Sequence, residues 1–398
     1  MTTHTWSPQQ STALDKVAAW MDNRDKPFFY LAGYAGTGKT TLAKHFAAGV
    51  AGRVVYGSFT GKAASVMRSK GCEGATTIHR LIYNPSSKGA AKLRELRAKL
   101  DAMEDKEGRE ALALRLKIQA EVARLKQPGW DLNESASIRD AELVIIDECS
   151  MVTGKMADDL LSFGVPVLVL GDPAQLPPVG GGGFFTNGKP DFMLTEVHRQ
   201  ARESGILRLA TEIREGKGID YCDYGDAKVI RRGELNPDDV PGYDQVIVGR
   251  NKTRHATNRR VRELLGHTRD LPVTGDRLLC LRNNHDLGLL NGEIYYAAGD
   301  ARDMIETVAL QIEPEGGGRA QWVDAWKAPL LGQELEHYDS GNDTQEFGYG
   351  YVLTCHKAQG SQYGKVIVFD ESHIFRADAA RWLYTAATRA ADQLVIVR

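Results

Sequence analysis

Residues 33–40 read Gly33-Tyr-Ala35-Gly36-Thr37-Gly38-Lys39-Thr40, and Thr41 follows. Glycines at this spacing let the backbone curl until successive N–H groups point at one place, a cradle suited to phosphate oxygens. Lys39 adds a point charge suited to β- and γ-phosphates, and Thr40 a hydroxyl suited to Mg²⁺. Downstream, Leu143-Val-Ile-Ile-Asp147-Glu148 closes an apolar run with two carboxylates. Asp147 is expected to hold the Mg²⁺, directly or through water, and Glu148 to orient or deprotonate an attacking water. An apolar run ending in Asp-Glu is common by itself. Beside the glycine loop it becomes a strong signal.

These groups need elements to aim them. Phe28–Leu31 reads as a buried strand before the loop and Leu42–Ala48 as a helix after it, whose positive dipole end faces the same anion. Leu143–Asp147 and Val165–Leu170 read as further buried parallel strands. The second runs into Gly171-Asp172-Pro-Ala-Gln175, where Gln175 is either a reporter of the γ-phosphate or an ordinary turn residue. Ser7-Pro8 suits a helix start, and Gln10 there is either an amide pairing with adenine or a surface side chain. A short strand at Arg53–Ser58 opens into Phe59-Thr60-Gly61-Lys62, and Thr77-Ile-His79-Arg80 follows; both suit backbone phosphate, weakly when taken alone. Arg199 falls just past a strand near Leu194.

The second half repeats this texture without a glycine loop. Strands are expected at 244–249, 350–354, 365–370 and 394–398, with helices at 254–265 and 379–391. Thr354-Cys-His356-Lys357-Ala-Gln359-Gly360-Ser361-Gln362 is dense in phosphate-directed donors. Arg389, placed on the last helix, could reach across a cleft to a γ-phosphate, although a lone helical arginine is usually surface. Residues 86–126 read as a charged helical hairpin with a solvated face. Residues 271–347 read as a small β insertion, either a clamp on a nucleic-acid strand or a decoration.

The chain has 398 residues and a net charge of −2. Near-neutrality does not exclude a nucleic-acid partner, because the distribution of charge decides. Five dispersed cysteines without a C-x-x-C pair argue for a reducing compartment and against a disulfide framework or zinc cluster. The N-terminus has no apolar signal core, and no apolar run is long enough to span a membrane. A soluble intracellular protein is expected.

Gln10, G-Y-A-G-T-G-K-T, F-T-G-K-A-A, I-I-D-E-C-S-M, G-D-P-A-Q-L-P-P-V, H-R-Q, T-C-H-K-A-Q-G-S-Q and Y-T-A-A-T-R-A occur in the order seen in superfamily 1 helicases. The wording resembles the RecD/Dda branch, whose members move 5′ to 3′ on single-stranded DNA. A P-loop with Asp-Glu would fit very many ATPases; the motifs from Asp172 onward make the likeness specific. It implies an α/β fold of two RecA-like P-loop-type domains in tandem, residues 1–200 and 201–398. The first would carry a helical insertion at 84–130, the second a small SH3-like β insertion at about 271–347.

The resemblance implies ATP and Mg²⁺ as cofactors. ATP would meet Gln10, Gly33, Ala35, Gly36, Thr37, Gly38, Lys39, Thr40, Thr41 and Gly360, and Mg²⁺ would meet Thr40 and Asp147. Lys39, Asp147, Glu148, the γ-phosphate sensor Gln175 and the two arginines Arg199 and Arg389 would form the catalytic set. Phe59, Thr60, Lys62, Thr77, His79, Thr354, His356 and Lys357 would grip DNA. The expected function is an ATP-dependent DNA helicase moving 5′ to 3′ and unwinding duplex. The alternatives are a strand-stimulated ATPase that remodels protein–DNA complexes, an RNA substrate, or an inactive structural subunit, which the intact Lys39, Glu148 and Arg389 oppose. Expected partners are single-stranded and fork DNA, with single-strand-binding or replication proteins beside them and no membrane. A monomer in the cytoplasm of a bacterial or phage-infected cell is expected. One departure stands out. The family's duplex-splitting β-hairpin pin is replaced by the helical hairpin, with Pro128-Gly129-Trp130 as its one wedge.

Overall fold

Apolar, β-branched runs at Leu143–Asp147, Val167–Gly171 and Gln245–Val248 set the two central sheets of this computed structural model. It describes residues 6–85, 88–103, 105, 108–125, 130–177, 183–196, 203–284, 287–333, 335 and 344–398.

The chain enters through α1 (Pro8–Asn23), which Ser7 caps. α1 buries Ala13, Val17 and Trp20 against the first sheet. β1 (Phe28–Gly33) leads through the glycine loop into α2 (Lys39–Ala47). β2 (Val54–Ser58), α3 (Gly61–Ser69), β3 (Thr76–Thr77) and α4 (Ile78–Ile82) follow. β4 (Tyr83–Pro85) and β5 (Trp130–Leu132) pair antiparallel, and the helices α5 (Lys88–Asp101) and α6 (Arg109–Leu125) lie between them in sequence. β6 (Leu143–Asp147), α7 (Gly154–Leu161), β7 (Val167–Gly171) and β8 (Phe192–Leu194) complete this half. Its strands run parallel in the order β3-β2-β6-β7-β1-β8.

The second half opens with α8 (Gly205–Arg214), β9 (Ala227–Ile230), β10 (Gln245–Val248) and α9 (Asn251–Leu264). A mostly antiparallel sheet comes next. It comprises β11 (Arg277–Cys280), β12 (Ile294–Ala297), β13 (Arg302–Asp303), β14 (Thr307–Pro314), β15 (Gln321–Trp326), the short α10 (Lys327–Leu330), β16 (Thr344–Gln345) and β17 (Phe347–Tyr349). The chain then returns through β18 (Val352–Thr354), α11 (Cys355–Ala358), β19 (Tyr363–Phe369), α12 (Ala379–Ala387) and β20 (Ala390–Val397). The second parallel sheet has the order β18-β10-β19-β20-β9.

Asp276 fastens the antiparallel sheet to this half. It is fully buried and accepts hydrogen bonds from Arg262 Nε at 2.9 Å, Arg262 Nη2 at 2.8 Å and Tyr351 Oη at 3.0 Å. His267 Nδ1 stands 2.9 Å from the same carboxylate. Burial alone would raise this carboxyl, but the Arg262, Val273 and His267 hydrogen bonds outweigh it and hold it below the usual range.

Two sequence expectations need correction. The last helix stops at Ala387, not at 391, because Ala390 already pairs with Tyr363 and the Tyr363 N–H donates to the Arg389 carbonyl at 2.8 Å. Arg389 therefore sits in the turn entering β20 and not on a helix. Trp130 is no projecting wedge: it is paired in β5 and packs on His79 with ring centroids 5.0 Å apart. Pro128 and Gly129 lie outside the described residues. Among the described residues, no helix is long and apolar enough to cross a membrane.

Candidate nucleotide site and strand-binding face

Parallel sheets place ligands at the carboxyl ends of their strands. The glycine loop leaves β1, Phe59 follows β2, Thr77 ends β3, Asp147 ends β6 and Asp172 follows β7. All of these open on one edge of the first sheet. The second half meets that edge with the segments that enter its own strands, Gly360–Gln362 before β19 and Thr388–Arg389 before β20. A cavity of about 520 Å³ lies between, lined by Ala35, Gly36, Gly38, Lys39, Thr40, Thr41, Asp147, Glu148, Gln175, Gly360, Ser361 and Arg389 among others.

The loop geometry follows from its residue types. Gly36 and Gly38 adopt φ values of 77° and 80°, which side-chain-bearing residues disfavour. Thr40 Oγ1 donates to Asp147 Oδ2 at 2.8 Å. A hydroxyl and a carboxylate converging on the cavity are hard oxygen donors that fit Mg²⁺, a cation that takes most of its shell from phosphate and water. Lys39 Nζ donates to the carbonyls of Gly33 at 2.6 Å and Tyr34 at 3.1 Å, so its ammonium is held over the loop. Glu148 occupies the left-handed region (φ 55°), uncommon for a non-glycine residue and characteristic of functional sites. Its N–H donates to Asp147 Oδ1 at 2.8 Å. Burial raises the Glu148 carboxyl above its ordinary range, against the pull of the Arg389 guanidinium. A carboxylate tuned upward suits a base that must take a proton from water. Gln175 is buried at the cavity, and its Oε1 has no hydrogen-bond partner among the described residues.

Arg389 is 5% exposed and arrives from the second half. Its Nε donates to the Thr385 carbonyl at 3.0 Å and its Nη1 to the Ser361 carbonyl at 3.1 Å. Nη1 stands 4.0 Å from Glu148 Oε1. Gly360 closes the same wall at φ 73°, and a Cβ there would come within 2.9 Å of Thr60 Oγ1.

Other expected nucleotide residues sit away from the cavity wall. Gln10 is buried beneath the loop, with Nε2 donating to the Thr37 carbonyl at 3.1 Å and Oε1 accepting from the Ser7 N–H at 3.1 Å. Thr37 is buried, and Gly33 lies under it. Arg199 lies outside the described residues.

The expected strand-binding residues fall into two groups. On the first half, Phe59 packs on His79 at 5.8 Å between centroids. Thr60 and Thr77 cap α3 and α4. Lys62 Nζ is paired with Glu315 Oε2 of the antiparallel sheet at 2.7 Å. On the second half, Thr354 is buried at the end of β18, and His356 packs on Phe375 with its imidazole lowered by burial. Enclosure by protein, then the Arg254 guanidinium, push the Lys357 ammonium down to about 8.

Arg254 escaped the sequence reading. It is 7% exposed, its Nε and Nη1 have no hydrogen-bond partner among the described residues, and it lines a cavity of about 920 Å³ between α9 and the antiparallel sheet with Lys252, His255 and Arg282. Among the described residues no carboxylate pairs with it, and a buried guanidinium in that setting is costly and suits an anion supplied from outside. The basic run Lys252-Thr-Arg254-His255 at a helix start was the available signal.

Two parallel sheets, a glycine loop and Asp-Glu pair at strand ends, and an arginine brought in from the second sheet define a P-loop nucleoside-triphosphatase of RecA-like architecture. A family model described as an AAA domain matches residues 5–234, more than half the chain, and the chain belongs to that family. A second model, described as a UvrD-like helicase C-terminal domain, matches residues 349–397. The chain is 29% identical over 277 residues to the ATP-dependent RecD2 DNA helicase of Deinococcus radiodurans, covering 63% of this chain and 36% of that protein's length. It is 26% identical over 426 residues to the RecBCD enzyme subunit RecD of Mycolicibacterium smegmatis, covering 92% of this chain and 67% of that one. The fold is similar to that of Bacteroides Pif1 helicase in complex with ADP-AlF3 and single-stranded DNA. There the TM-score is 0.52 at 19% identity, over 96% of this chain and 91% of the other. The resemblance to superfamily 1 helicases of the RecD type is borne out.

Proposed function

We propose that this chain is an ATP-dependent DNA helicase that moves 5′ to 3′ on single-stranded DNA and unwinds duplex ahead of it. One observation carries the reading: Lys39, Thr40, Asp147, Glu148 and Gln175 from one sheet and Gly360 and Arg389 from the other line one cavity. The division into domains 1–200 and 201–398 accords with the two sheets, and the antiparallel insertion takes the part of an SH3-like domain.

ATP would lie with its phosphates on the Gly36–Thr40 amides and Lys39. Thr40 and Asp147 would hold Mg²⁺, which neutralises β- and γ-oxygens when bound. Glu148 takes the proton of the attacking water, and Arg389 stabilises the charge that spreads over the γ-phosphoryl oxygens. Gln175, whose Oε1 has no partner among the described residues, orients the water or reads the γ-phosphate. Arg199 would complete the cation set. Strand contacts on both halves, from Phe59–His79 on one side and Thr354–Lys357 on the other, let closure and reopening of the cleft move the strand by alternating grip. Fork DNA is the natural substrate, and single-strand-binding or replication proteins are the natural neighbours.

Lys39→Ala should reduce strand-stimulated ATP turnover to background in a phosphate-release assay. Turnover retained by that variant would remove the cavity from the chemistry.

A further inference from the structure

We propose that Tyr384 is the positioning residue through which the glycine loop sets Arg389 against Glu148; the proposal rests on the nucleotide-site reading above. Tyr384 lies on α12 and is 2% exposed. Its phenol donates to Asp172 Oδ2 at 2.6 Å and accepts from the Ala35 N–H at 3.0 Å. One hydroxyl therefore joins the glycine loop after β1, the turn after β7 and a helix of the other half. Asp172 is itself fixed: it is buried, and its Oδ1 accepts from the Ala174 N–H at 2.9 Å. Burial and the Asp172 carboxylate both push the phenol upward, so it stays protonated and donates.

The contacts continue along the helix. Thr385 Oγ1 accepts from the Leu176 N–H at 2.8 Å, one residue past Gln175. The Thr385 carbonyl accepts from Arg389 Nε at 3.0 Å. The Leu176 carbonyl in turn accepts from Gln359 Nε2 at 2.6 Å. The last turn of α12 is thus pinned to the first half at Tyr384 and Thr385, and the turn that follows it brings in Arg389, whose Nε is held on the Thr385 carbonyl and whose guanidinium approaches Glu148. A buried interface held by apolar packing alone would allow small slips. Two directional hydrogen bonds on one phenol define a single register.

If Tyr384 acts through Arg389, removing its hydroxyl should loosen the arginine and leave the phosphate cradle intact. The loop amides and Lys39 bind nucleotide without it. A charge-assisted hydrogen bond to a buried carboxylate has an effect on the order of 10-fold in rate when only the transition state feels it. The test is a double-mutant cycle on the full chain with single-stranded oligonucleotide present. Tyr384→Phe should lower kcat for ATP hydrolysis on the order of 10-fold and leave KM for ATP within about twofold. In an Arg389→Ala background the same substitution should cause no further loss. Wild-type kcat in Tyr384→Phe, or a loss that multiplies in the double variant, would overturn the proposal.

Thermal melting shows whether Tyr384→Phe folds. If it does not, Asp172→Asn, which keeps the shape and removes the charge, carries the same cycle with the same two outcomes. Lys39→Ala separates the two levels. Turnover surviving in Lys39→Ala overturns the nucleotide site and this proposal with it. Loss in Lys39→Ala beside wild-type kcat in Tyr384→Phe overturns the proposal alone.

Discussion

At the scale of single residues, chemistry was most legible where side-chain type and spacing constrain each other. Lys39, Thr40, Asp147 and Glu148 were named from the sequence and line one cavity, because a glycine loop after a strand and Asp-Glu after another strand must open on the same sheet edge. Gln10 was less legible. A glutamine at a helix start can face ligand or cap its own helix, and here both ends of the amide are engaged beneath the loop. Lys62 read as a phosphate contact, yet it meets Glu315, some 250 residues away in sequence, a pairing no local pattern encodes. Lys357 yields a pH prediction. Its ammonium is charged below about 8 and neutral above it, so the proposed contact with strand phosphate would be present at neutral pH and lost as pH rises. Bound phosphate favours the charged form and moves the loss above that value. Affinity for a single-stranded oligonucleotide, followed by fluorescence anisotropy from pH 7 to 9.5, should fall in the native chain and stay flat in Lys357→Arg, whose guanidinium keeps its charge. Identical profiles would take Lys357 out of the strand path.

Elements were legible in proportion to their length. The long apolar runs became β1, β6, β7, β10 and β19, and the Asn291-Gly292 and Gly316–Gly318 turns marked the antiparallel insertion. Strands of two or three residues, such as β3, β4 and β5, have no period to detect, so the β4–β5 pair beside the helical hairpin went unread. That pair fixes Trp130 against Tyr83 and against His79, one of the proposed strand-binding residues. Among the described residues, neither α5 nor α6 contributes to the lining of the nucleotide cavity. Excising both helices and joining β4 to β5 by a short turn should therefore preserve ATP turnover within about twofold in a coupled assay, because hydrolysis depends on the groups that touch the phosphates. A folded variant with no turnover would show that the hairpin supports the site. The antiparallel sheet makes the opposite kind of prediction. Asp276→Asn leaves the Arg262 guanidinium buried beside a neutral amide, so urea unfolding should report a loss of about 3–5 kcal/mol. A loss below about 1 kcal/mol, the level of a surface pair, would mean that the network does not anchor the sheet.

At the scale of the whole molecule, the arrangement is two parallel sheets facing each other across a nucleotide cavity, with basic and aromatic groups on both. Hydrogen bonds at Tyr384, Thr385 and Gln359 tie the halves together where the arginine enters. The sequence reading put Arg389 across a cleft from the γ-phosphate but not the contacts that hold it there, because these join residues far apart in the chain. The central claim is directional movement on a strand driven by that cleft. It is tested most directly by partial-duplex DNA carrying either a 5′ or a 3′ single-stranded tail, with strand separation and ATP hydrolysis followed together. Unwinding of the 5′-tailed substrate alone, lost in Lys39→Ala, is the predicted result. Unwinding from the 3′ tail, or strand-stimulated hydrolysis with neither substrate unwound, would contradict it.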